Sequence, residues 1–399
     1  MCKFHIVCII VLCSPAYLSG AGQDVSPPQQ DTCTAEAVPA QTFRFSGQLS
    51  GFVQYAPDLQ LNFSAGGRYI PQANYKIPLR SNRLIDFEAS LNLNGEMDFH
   101  PFDSTQFGHG IKGYRFWGRY STNRMELRVG LQKINFGSAL MLRPLMWFDR
   151  IDPRDPLQIT DGVTGLLWRY YFLNNANIWV WGLYGNNKTK GYEITSIDKR
   201  YPEVGGRIQW PIPAGEVALS YHYRVADLGK LFTAEYQLQY PQVGEHKVGF
   251  DLKVNIEVGL WVEASFTRFN RSFGLYTNQE MITAGADYTL NIGNGITAAF
   301  EHFVYSGDQK AFEFINPTYF SALSLSYPIN VFNNIRVMTF YNWKDNKGFL
   351  FLTWLKQFNR LSFYVMGYWN PQTFSLPGQS AIGNRFAGKG AQVMVVWNH

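Results

Sequence analysis

The chain has 399 residues, of which 46% are apolar and only 16% are charged. This charged fraction is below the roughly 25% of an ordinary soluble domain. The mean hydropathy is nevertheless −0.18, which indicates that apolar and polar residues alternate along the chain. A net charge of +5 without a clustered basic face argues against a nucleic-acid-binding protein.

Residues 1–21 have the pattern of a secretory signal peptide. Lys3 is followed by an apolar stretch over 6–13, and the small residues 19–21 offer a cleavage site. The apolar stretch is shorter than the roughly 20 residues of a membrane-spanning helix. Three of the four cysteines fall within this segment, so Cys33 would be the only cysteine of the exported protein, and an intrachain disulfide is excluded.

Residues 22–41 lack periodicity and are predicted to be a flexible N-terminal segment, whereas 42–399 alternate between apolar and polar residues. Thr42–Tyr55 and 85–96 are the clearest examples, with one apolar and one polar face each. Soluble strands usually have roughly 5–6 residues, and a tilted strand needs roughly 9–11 to cross a bilayer. The long runs therefore predict membrane-crossing strands.

Sixteen further segments have strand character, which makes eighteen in total. They are 59–70, 111–121, 124–132, 163–172, 177–185, 201–210, 215–224, 246–254, 258–268, 279–290, 296–305, 318–327, 334–343, 348–356, 360–369 and 387–397. Only 59–70 is weakly patterned, and without it sixteen strands is the alternative count. Short and long connections alternate between the segments. We therefore predict an all-β fold, a transmembrane antiparallel up-and-down β-barrel with short periplasmic turns and long outer loops.

Aromatic residues gather near the ends of the predicted strands, where a barrel meets the lipid headgroups. They are Tyr170, Tyr171, Phe172, Trp179, Trp181, Tyr221, Tyr223, Tyr305, Tyr341, Trp343, Tyr368, Trp369 and Trp397. The chain also ends on an alternating apolar strand, 390–399. Such a strand is expected to be the element that the barrel-assembly machinery recognises.

The segment 125–172 is the centre of the functional prediction. Two strands enclose a connection of about thirty residues, which is unusually long for a loop without secondary structure. Its Trp, Phe, Leu and Met residues are too numerous for a disordered segment. We therefore predict a packed constriction loop that lies over or inside the barrel.

Charged residues on the strand face opposite the apolar one are predicted to line a water-filled lumen. The pore-lining candidates are Arg115, Arg119, Arg128, Arg169, Arg207 and Glu126, and the constriction-loop candidates are Arg143, Trp147, Asp149, Arg150, Asp152, Arg154, Asp155 and Asp161. Four arginines from neighbouring strands, at 115, 119, 128 and 169, could form a cationic arc that faces the loop aspartates. Opposed charges across a constriction orient polar solutes. The alternative is a generally solvated wall without selectivity.

The motif R-V-G-L-Q-K-I-N-F-G at 128–137, with L-R-P-L-M-W-F-D-R-I-D-P-R-D-P-L at 142–157, resembles a segment of alginate-export-like outer-membrane porins of Gram-negative bacteria. The resemblance implies an eighteen-stranded channel whose loop lines or gates the pore. Phe136 stands where that family usually has Trp. Alginate itself is not implied, because a polyanion exporter needs a strongly basic lumen and the charges here are mixed.

Metal binding and catalysis have weaker support. The loop aspartates could bind Ca²⁺, but they lack EF-hand spacing, and pairing with the loop arginines is the favoured interpretation. The histidines lack zinc spacing. His222 and His246 flank an outer loop without an evident nucleophile. We expect no cofactor, no metal and no enzymatic activity.

These observations predict an outer-membrane channel for the passive, charge-selective passage of small polar solutes. Its expected partners are outer-membrane lipid, the assembly machinery and the solutes. One alternative is a surface barrel without an open pore that binds a glycan or a protein. The other is a soluble secreted β-protein, whose apolar rows would face inward.

Overall fold

The computed structural model describes residues 41–230, 241–272, 277–371 and 386–399. The predicted signal peptide and all but the last residue of the N-terminal segment lie outside the described residues. The only helical element among the described residues is a single 3₁₀ turn, Leu228–Lys230. Within those ranges, no helix has the length and apolarity needed to cross a membrane.

Eighteen strands form the wall. They are β1 Thr42–Tyr55, β2 Phe63–Leu79, β3 Arg83–Phe99, β4 Thr105–Ser121, β5 Met125–Gln132, β6 Val163–Tyr171, β7 Asn177–Leu183, β8 Glu203–Ile212, β9 Gly215–Asp227, β10 Gln242–Asn255, β11 Gly259–Phe269, β12 Asn278–Leu290, β13 Ile296–Asp308, β14 Thr318–Asn330, β15 Asn333–Asn342, β16 Lys347–Gln357, β17 Leu361–Trp369 and β18 Lys389–Asn398. A separate two-residue strand, Ser196–Ile197, pairs with the end of β9.

Each strand pairs antiparallel with its neighbours in sequence, and the first strand pairs with the last. The register of this seam runs from Gln48 opposite Asn398 to Tyr55 opposite Ala391. Closure gives every strand a partner on both sides, which leaves no free sheet edge along the seam. The prediction of an eighteen-stranded up-and-down barrel is confirmed, and the alternative count of sixteen is wrong.

The two ends of the barrel differ in their connections. One end has eight short turns, such as 213–214 between β8 and β9 and 331–332 between β14 and β15, and it also holds the start of β1 and the end of β18. The other end carries the long connections, including 133–162 and 184–202. This is the asymmetry of short periplasmic turns and longer outer loops that the sequence predicts.

The second strand differs from its prediction, because 59–70 is observed as Phe63–Leu79. Pro71 and Pro78 lie inside it, where a proline would ordinarily mark a strand end. The β2–β3 register passes from Tyr69 directly to Gln72 and omits Pro71 from the ladder. The proline has no N–H to donate, so the strand continues through a local gap in the hydrogen bonds.

The apolar rows face outward. On β1, Phe43, Leu49 and Val53 are exposed, whereas Ser50 and Gln54 on the other face are buried in the interior. This arrangement is the reverse of a soluble β-protein and agrees with an apolar outer band facing lipid. The alternative of a soluble secreted protein is therefore disfavoured.

Four aromatic residues assigned to the headgroup layers point into the barrel instead. Trp181 and Tyr368 are 1% and 6% exposed, and both belong to buried apolar clusters. Trp179 and Tyr305 pack against the same clusters. The prediction assumed a wholly solvated lumen, but a loop folded into the barrel offers these rings an apolar surface.

An arginine on the outward face of β9 should destabilise the barrel. Leu219 is 60% exposed and lies opposite the outward residues Ile208 and Phe250. We expect Leu219→Arg to lower the free energy of unfolding in lipid vesicles by about 2–4 kcal/mol, because the charge would enter hydrocarbon. Leu219→Ile is the matched control and should change it by less than about 1.5 kcal/mol. Equal stability of the arginine variant would contradict the outward assignment.

Candidate pore and constriction loop

The constriction loop, residues 133–162, leaves the wall after β5 and folds across the interior before it returns to β6. Its backbone reaches Glu263 on β11 and Glu301 on β13. β13 lies eight strands from β5 in an eighteen-stranded barrel, so the two are almost diametrically opposite. The sequence predicts a loop over or inside the barrel. In the structure the loop lies inside and crosses the lumen.

Two wall carboxylates hold the loop at the far side. Glu301 accepts hydrogen bonds from the backbone N–H groups of Leu140 (2.5 Å), Met141 (2.9 Å) and Leu142 (2.7 Å). Glu263 accepts from the N–H groups of Ala139 (2.9 Å) and Leu145 (2.6 Å). A loop without secondary structure must find such acceptors when its backbone is buried. The two glutamates therefore take the place of a sheet partner.

A glycine makes this close approach feasible. Gly137 has φ of +101°, and a Cβ there would lie 2.4 Å from an oxygen of Glu263. Any other residue would meet both the backbone strain of positive φ and a clash with the carboxylate. The second glycine of the sequence motif therefore positions the loop against β11.

Apolar side chains of the loop also pack against the wall on both sides of the lumen. Met141 and Leu142 join a buried cluster with wall residues of β12–β17, including Phe303 and Phe340. Nearer to β5, the loop rings of Phe136, Trp147 and Phe148 pack with Trp181 of β7 and related wall residues. Trp147 also donates to Ser265 Oγ at 3.0 Å through its indole N–H. The interior at this level is a packed core.

The charges of the loop largely pair within it. Arg143 lies 3.5 Å from Asp149, and Arg154 forms a two-pronged contact with Asp152, the shortest at 2.7 Å. Burial acts to lower the pKa of the Arg143 guanidinium, but Asp149 and Glu263 raise that pKa above its ordinary value. Arg143 therefore remains cationic and compensates the carboxylates around it.

The end of the loop is tied to the neighbouring wall and loop. Asp161 forms ion pairs with Lys112 of β4 and with Lys188, the latter at 3.3 Å. Burial acts to raise the pKa of Asp161, but these lysines bring the pKa below its usual value. Burial raises the pKa of Asp155, whose carboxylate accepts the Leu157 N–H at 2.9 Å.

A second loop, residues 184–202, also folds inward. Its Gly191 N–H donates to the Asp149 carbonyl at 3.0 Å, and its Tyr192 ring stacks on Phe303 at 5.4 Å. Arg150 of the constriction loop donates to Thr189 at 3.1 Å. The two loops therefore form one inserted layer.

Buried charges fix this second loop to the wall. Glu193 lies 2.9 Å from Arg224 of β9 and 2.5 Å from Lys247 of β10. Arg224 also contacts Glu245 at 2.6 Å and donates to Thr195 Oγ1 at 3.0 Å. Two cations and two carboxylates thus balance each other in a buried region.

An arginine cluster occupies the wall of β4–β6 near the short turns. Glu126 is at its centre, 2.7 Å from Arg128, 3.6 Å from Arg119 and 3.8 Å from Arg169. Arg119 also donates two hydrogen bonds to Asp86, at 2.8 and 2.7 Å. Three guanidinium groups thus lie within ion-pair distance of two carboxylates, and Glu88 of β3 interacts electrostatically with Arg128 and Arg115 of the same wall.

Inward-facing indole rings of β4 and β7 lie against the guanidinium planes. Arg169 lies 3.8 Å from the ring centre of Trp179, and Arg128 lies 4.6 Å from that of Trp117. Cation–π contacts of this kind add roughly 0.5–2 kcal/mol and restrict the side-chain rotamers. The cluster is therefore held in a defined arrangement.

The two walls differ in their access to water. Glu263, Glu301 and Phe303, under the inserted loops, are 0% exposed. The side chains of Arg119 and Arg169 keep 26% and 16% of their surface accessible. The accessible inner surface of the barrel therefore includes the arginine cluster.

The structure pairs the predicted residues differently from the hypothesis of a cationic arc opposite the loop aspartates. Arg119, Arg128 and Arg169 pair with the wall carboxylates, and Asp149 and Asp152 pair with loop arginines. Of the four arginines, Arg115 reaches the loop, where it donates to the Thr160 carbonyl at 3.1 Å. Arg207 faces the interior but is buried, paired with Asp251 at 2.6 Å and covered by the Phe136 ring at 5.0 Å.

Sequence reasoning did not find the anchoring role of Glu263 and Glu301 or the second inward loop. Alternation places both glutamates on the inner face, but their partners lie more than 100 residues away, at separations such as 124 and 160. In the second loop, the apolar–charged–apolar order of Tyr192, Glu193 and Ile194 is the only sequence feature that indicates packing inside the barrel. Among the described residues, no group of histidines, cysteines and carboxylates could hold a metal ion.

Solved structures with the same fold are outer-membrane porins. The chain is similar to OccAB1 of Acinetobacter baumannii, with a TM-score of 0.56 and 8% identity over 90% of this chain and 96% of that one. It is also similar to OccK5 (OpdH) of Pseudomonas aeruginosa, with a TM-score of 0.50 and 11% identity over 89% of this chain and 97% of that one. No family model and no curated protein matches the chain.

These likenesses define the class of the fold, a porin-like outer-membrane β-barrel. At 8% and 11% identity, these similarities support a shared fold and no more specific relationship. The finer resemblance to alginate-export-like porins stays a prediction.

Removal of the two anchoring carboxylates should release the loop. In Glu263→Ala/Glu301→Ala, five loop N–H groups lose their acceptors, at about 1–3 kcal/mol each if they stay buried. We expect trypsin to cleave the folded variant after Arg150 or Arg154 while the wild type resists. Glu257→Gln, in an exposed short turn, is the control and should resist as the wild type does. Equal resistance of all three proteins would show that the glutamates do not hold the loop.

Proposed function

We propose that the protein is an outer-membrane channel for the passive, charge-selective passage of small hydrophilic solutes. The observation that carries this proposal is the asymmetric lumen. The inserted loops bury the wall at their own level, where Glu263 and Glu301 are 0% exposed, and an arginine cluster on the β4–β6 wall stays accessible. Such a passage would be narrow, eccentric and positively charged on one side.

Selectivity would come from Arg119, Arg128 and Arg169. A solute that passes along this wall exchanges part of its hydration for contacts with guanidinium groups, which favour carboxylate and phosphate oxygens. Glu126 and Asp86 offset most of the positive charge, so the expected preference for anions is moderate. The loop would contribute width and shape rather than an opposing field, because Asp149 and Asp152 pair within the loop and Asp161 pairs with neighbouring lysines.

We further propose that the C-terminal strand β18 is the element recognised by the barrel-assembly machinery, and that the chain is related in function to alginate-export-like porins. The outward row of Ala391, Val393 and Trp397 supports the first point. The motif at 128–137 and 142–157 supports the second, because its Gly137 and loop residues serve the attachment of the loop.

A barrel without an open pore is the second candidate. The two inserted loops pack against each other and against the β8–β17 side of the barrel, which would suit a plugged surface receptor. Planar-bilayer recording separates the two functions. Discrete conductance steps would support the channel, and their absence together with glycan or protein binding would support the receptor.

Charge changes in the arginine cluster should alter ion preference. We expect Arg128→Ala/Arg169→Ala to reduce the anion-to-cation permeability ratio, by up to about fivefold per charge. Glu126→Gln should raise the ratio, because it removes the carboxylate that offsets three arginines. Reversal potentials in a salt gradient measure both changes. Arg83→Ala, at a short turn, is the matched control. Unchanged potentials in both lumen variants would place the ion path elsewhere.

Deletion of 139–156 should increase the single-channel current, because this segment crosses the lumen. We expect at least a doubling if the segment sets the narrowest cross-section. The shift in gel mobility between heated and unheated samples verifies that the barrel is folded. A folded deletion variant with the current of the wild type would mean that the loop does not restrict the passage.

A further inference from the structure

A groove on the short-turn rim, away from the lumen, has the character of a lipid site. It is formed by the β14–β15 turn, the β16–β17 turn and the end of β18, and its volume is about 770 Å³. Its apolar lining consists of Phe332, Phe358, Leu361 and Trp397. Phe332 is 59% exposed and Trp397 is 40% exposed, so the groove is open.

The groove lies on the outer surface of the barrel. Trp397 shares a face of β18 with Val393, which is half exposed, and the residues between them on the opposite face, Met394 and Val396, are buried. Leu361 of β17 lies opposite Trp397 in the register. The outward row continues from Leu361 to Val365 along β17, towards the middle of the membrane.

Two cations complete the lining, Lys356 and Arg360. Lys356 Nζ lies 5.4 Å from the ring centre of Phe358. The other four lining residues are amides, so none of the ten carries a carboxylate. Among the described residues, no carboxylate lies within ion-pair distance of either cation. The groove therefore has two positive charges that no carboxylate of the described residues neutralises.

We propose that this groove binds the headgroup of an anionic phospholipid from the periplasmic leaflet. The short turns place it at the depth of the headgroups, where aromatic rings and basic residues meet the interface. Lys356 and Arg360 would contact the phosphate, and the amides would contact the polar substituent. The acyl chains would lie along the outward row that runs from Leu361 to Val365.

Charge complementarity favours this occupant over a protein. A phosphodiester with a net negative charge is complementary to two adjacent cations. The apolar floor of the groove continues into the hydrocarbon region of the membrane, which only a lipid tail would enter. Zwitterionic lipid would bind less well, because its amine adds a positive charge to a site that already has two.

Native mass spectrometry of the folded full-length protein in neutral detergent tests the proposal with phosphatidylglycerol as the probe. We expect Lys356→Gln/Arg360→Gln to weaken the first phosphatidylglycerol binding step by about 25-fold, taking about fivefold for each interfacial cation. The matched control is Arg80→Gln/Arg83→Gln, which removes the same charge from the exposed β2–β3 turn region. It should retain the affinity of the wild type within about twofold.

Two further measurements define the ligand. Phosphatidylcholine should bind at least about tenfold more weakly than phosphatidylglycerol, and glycerol phosphate in solution should not displace the lipid. Equal loss in both variant pairs, no loss in the groove variant, equal binding of the two lipids, or displacement by glycerol phosphate would each overturn the proposal. All of the substituted side chains are exposed or half-buried at turns, so the variants should fold.

Discussion

The hydrogen-bonding demand of a non-helical backbone inside a barrel is the constraint on which this structure depends. The wall satisfies its own backbone by closing on itself, but a loop of about thirty residues inserted into the lumen has no strand to pair with. Glu263 and Glu301 meet that demand by accepting five backbone N–H groups from the loop. Arg143 supplies the compensating charge nearby. The position of the loop, and with it the shape of the remaining passage, follows from these contacts.

Charge is distributed so that only part of it remains available to a solute. Pairing within a loop, as in Asp152–Arg154, and between a loop and the wall, as in Glu193–Lys247, neutralises the side of the lumen that is packed shut. On the opposite side, Glu126 lies within ion-pair distance of three arginines, and its single negative charge cannot neutralise all of them. Buried pairs of this kind add little net stability, but they keep uncompensated charge away from the dry region and leave it where water remains.

Alternation along the sequence was sufficient to predict the strands, because a period of two with an apolar face is a local property. It correctly predicts eighteen strands, and the structure places the side chains of Arg119, Arg128 and Arg169 on the inner face. It fails where a partner is distant. Trp181 looks like a girdle residue until the loop that covers it is known, and Pro71 looks like a strand end. The long loop is recognisable as packed from its composition, but its acceptors on β11 and β13 cannot be identified from local pattern.

The seam between the first and last strands has a consequence for biogenesis. Gln48 and Asn398 are 350 positions apart, so their pairing has almost the largest sequence separation that the chain permits. Contacts between such distant residues form slowly, because the chain between them must lose conformational entropy before the contacts can stabilise the fold. Nearest-neighbour hairpins can assemble at any stage of synthesis, whereas the cylinder exists only after the final strand has emerged. Deletion of the whole last strand would therefore leave an open sheet with two unpaired edges in the membrane.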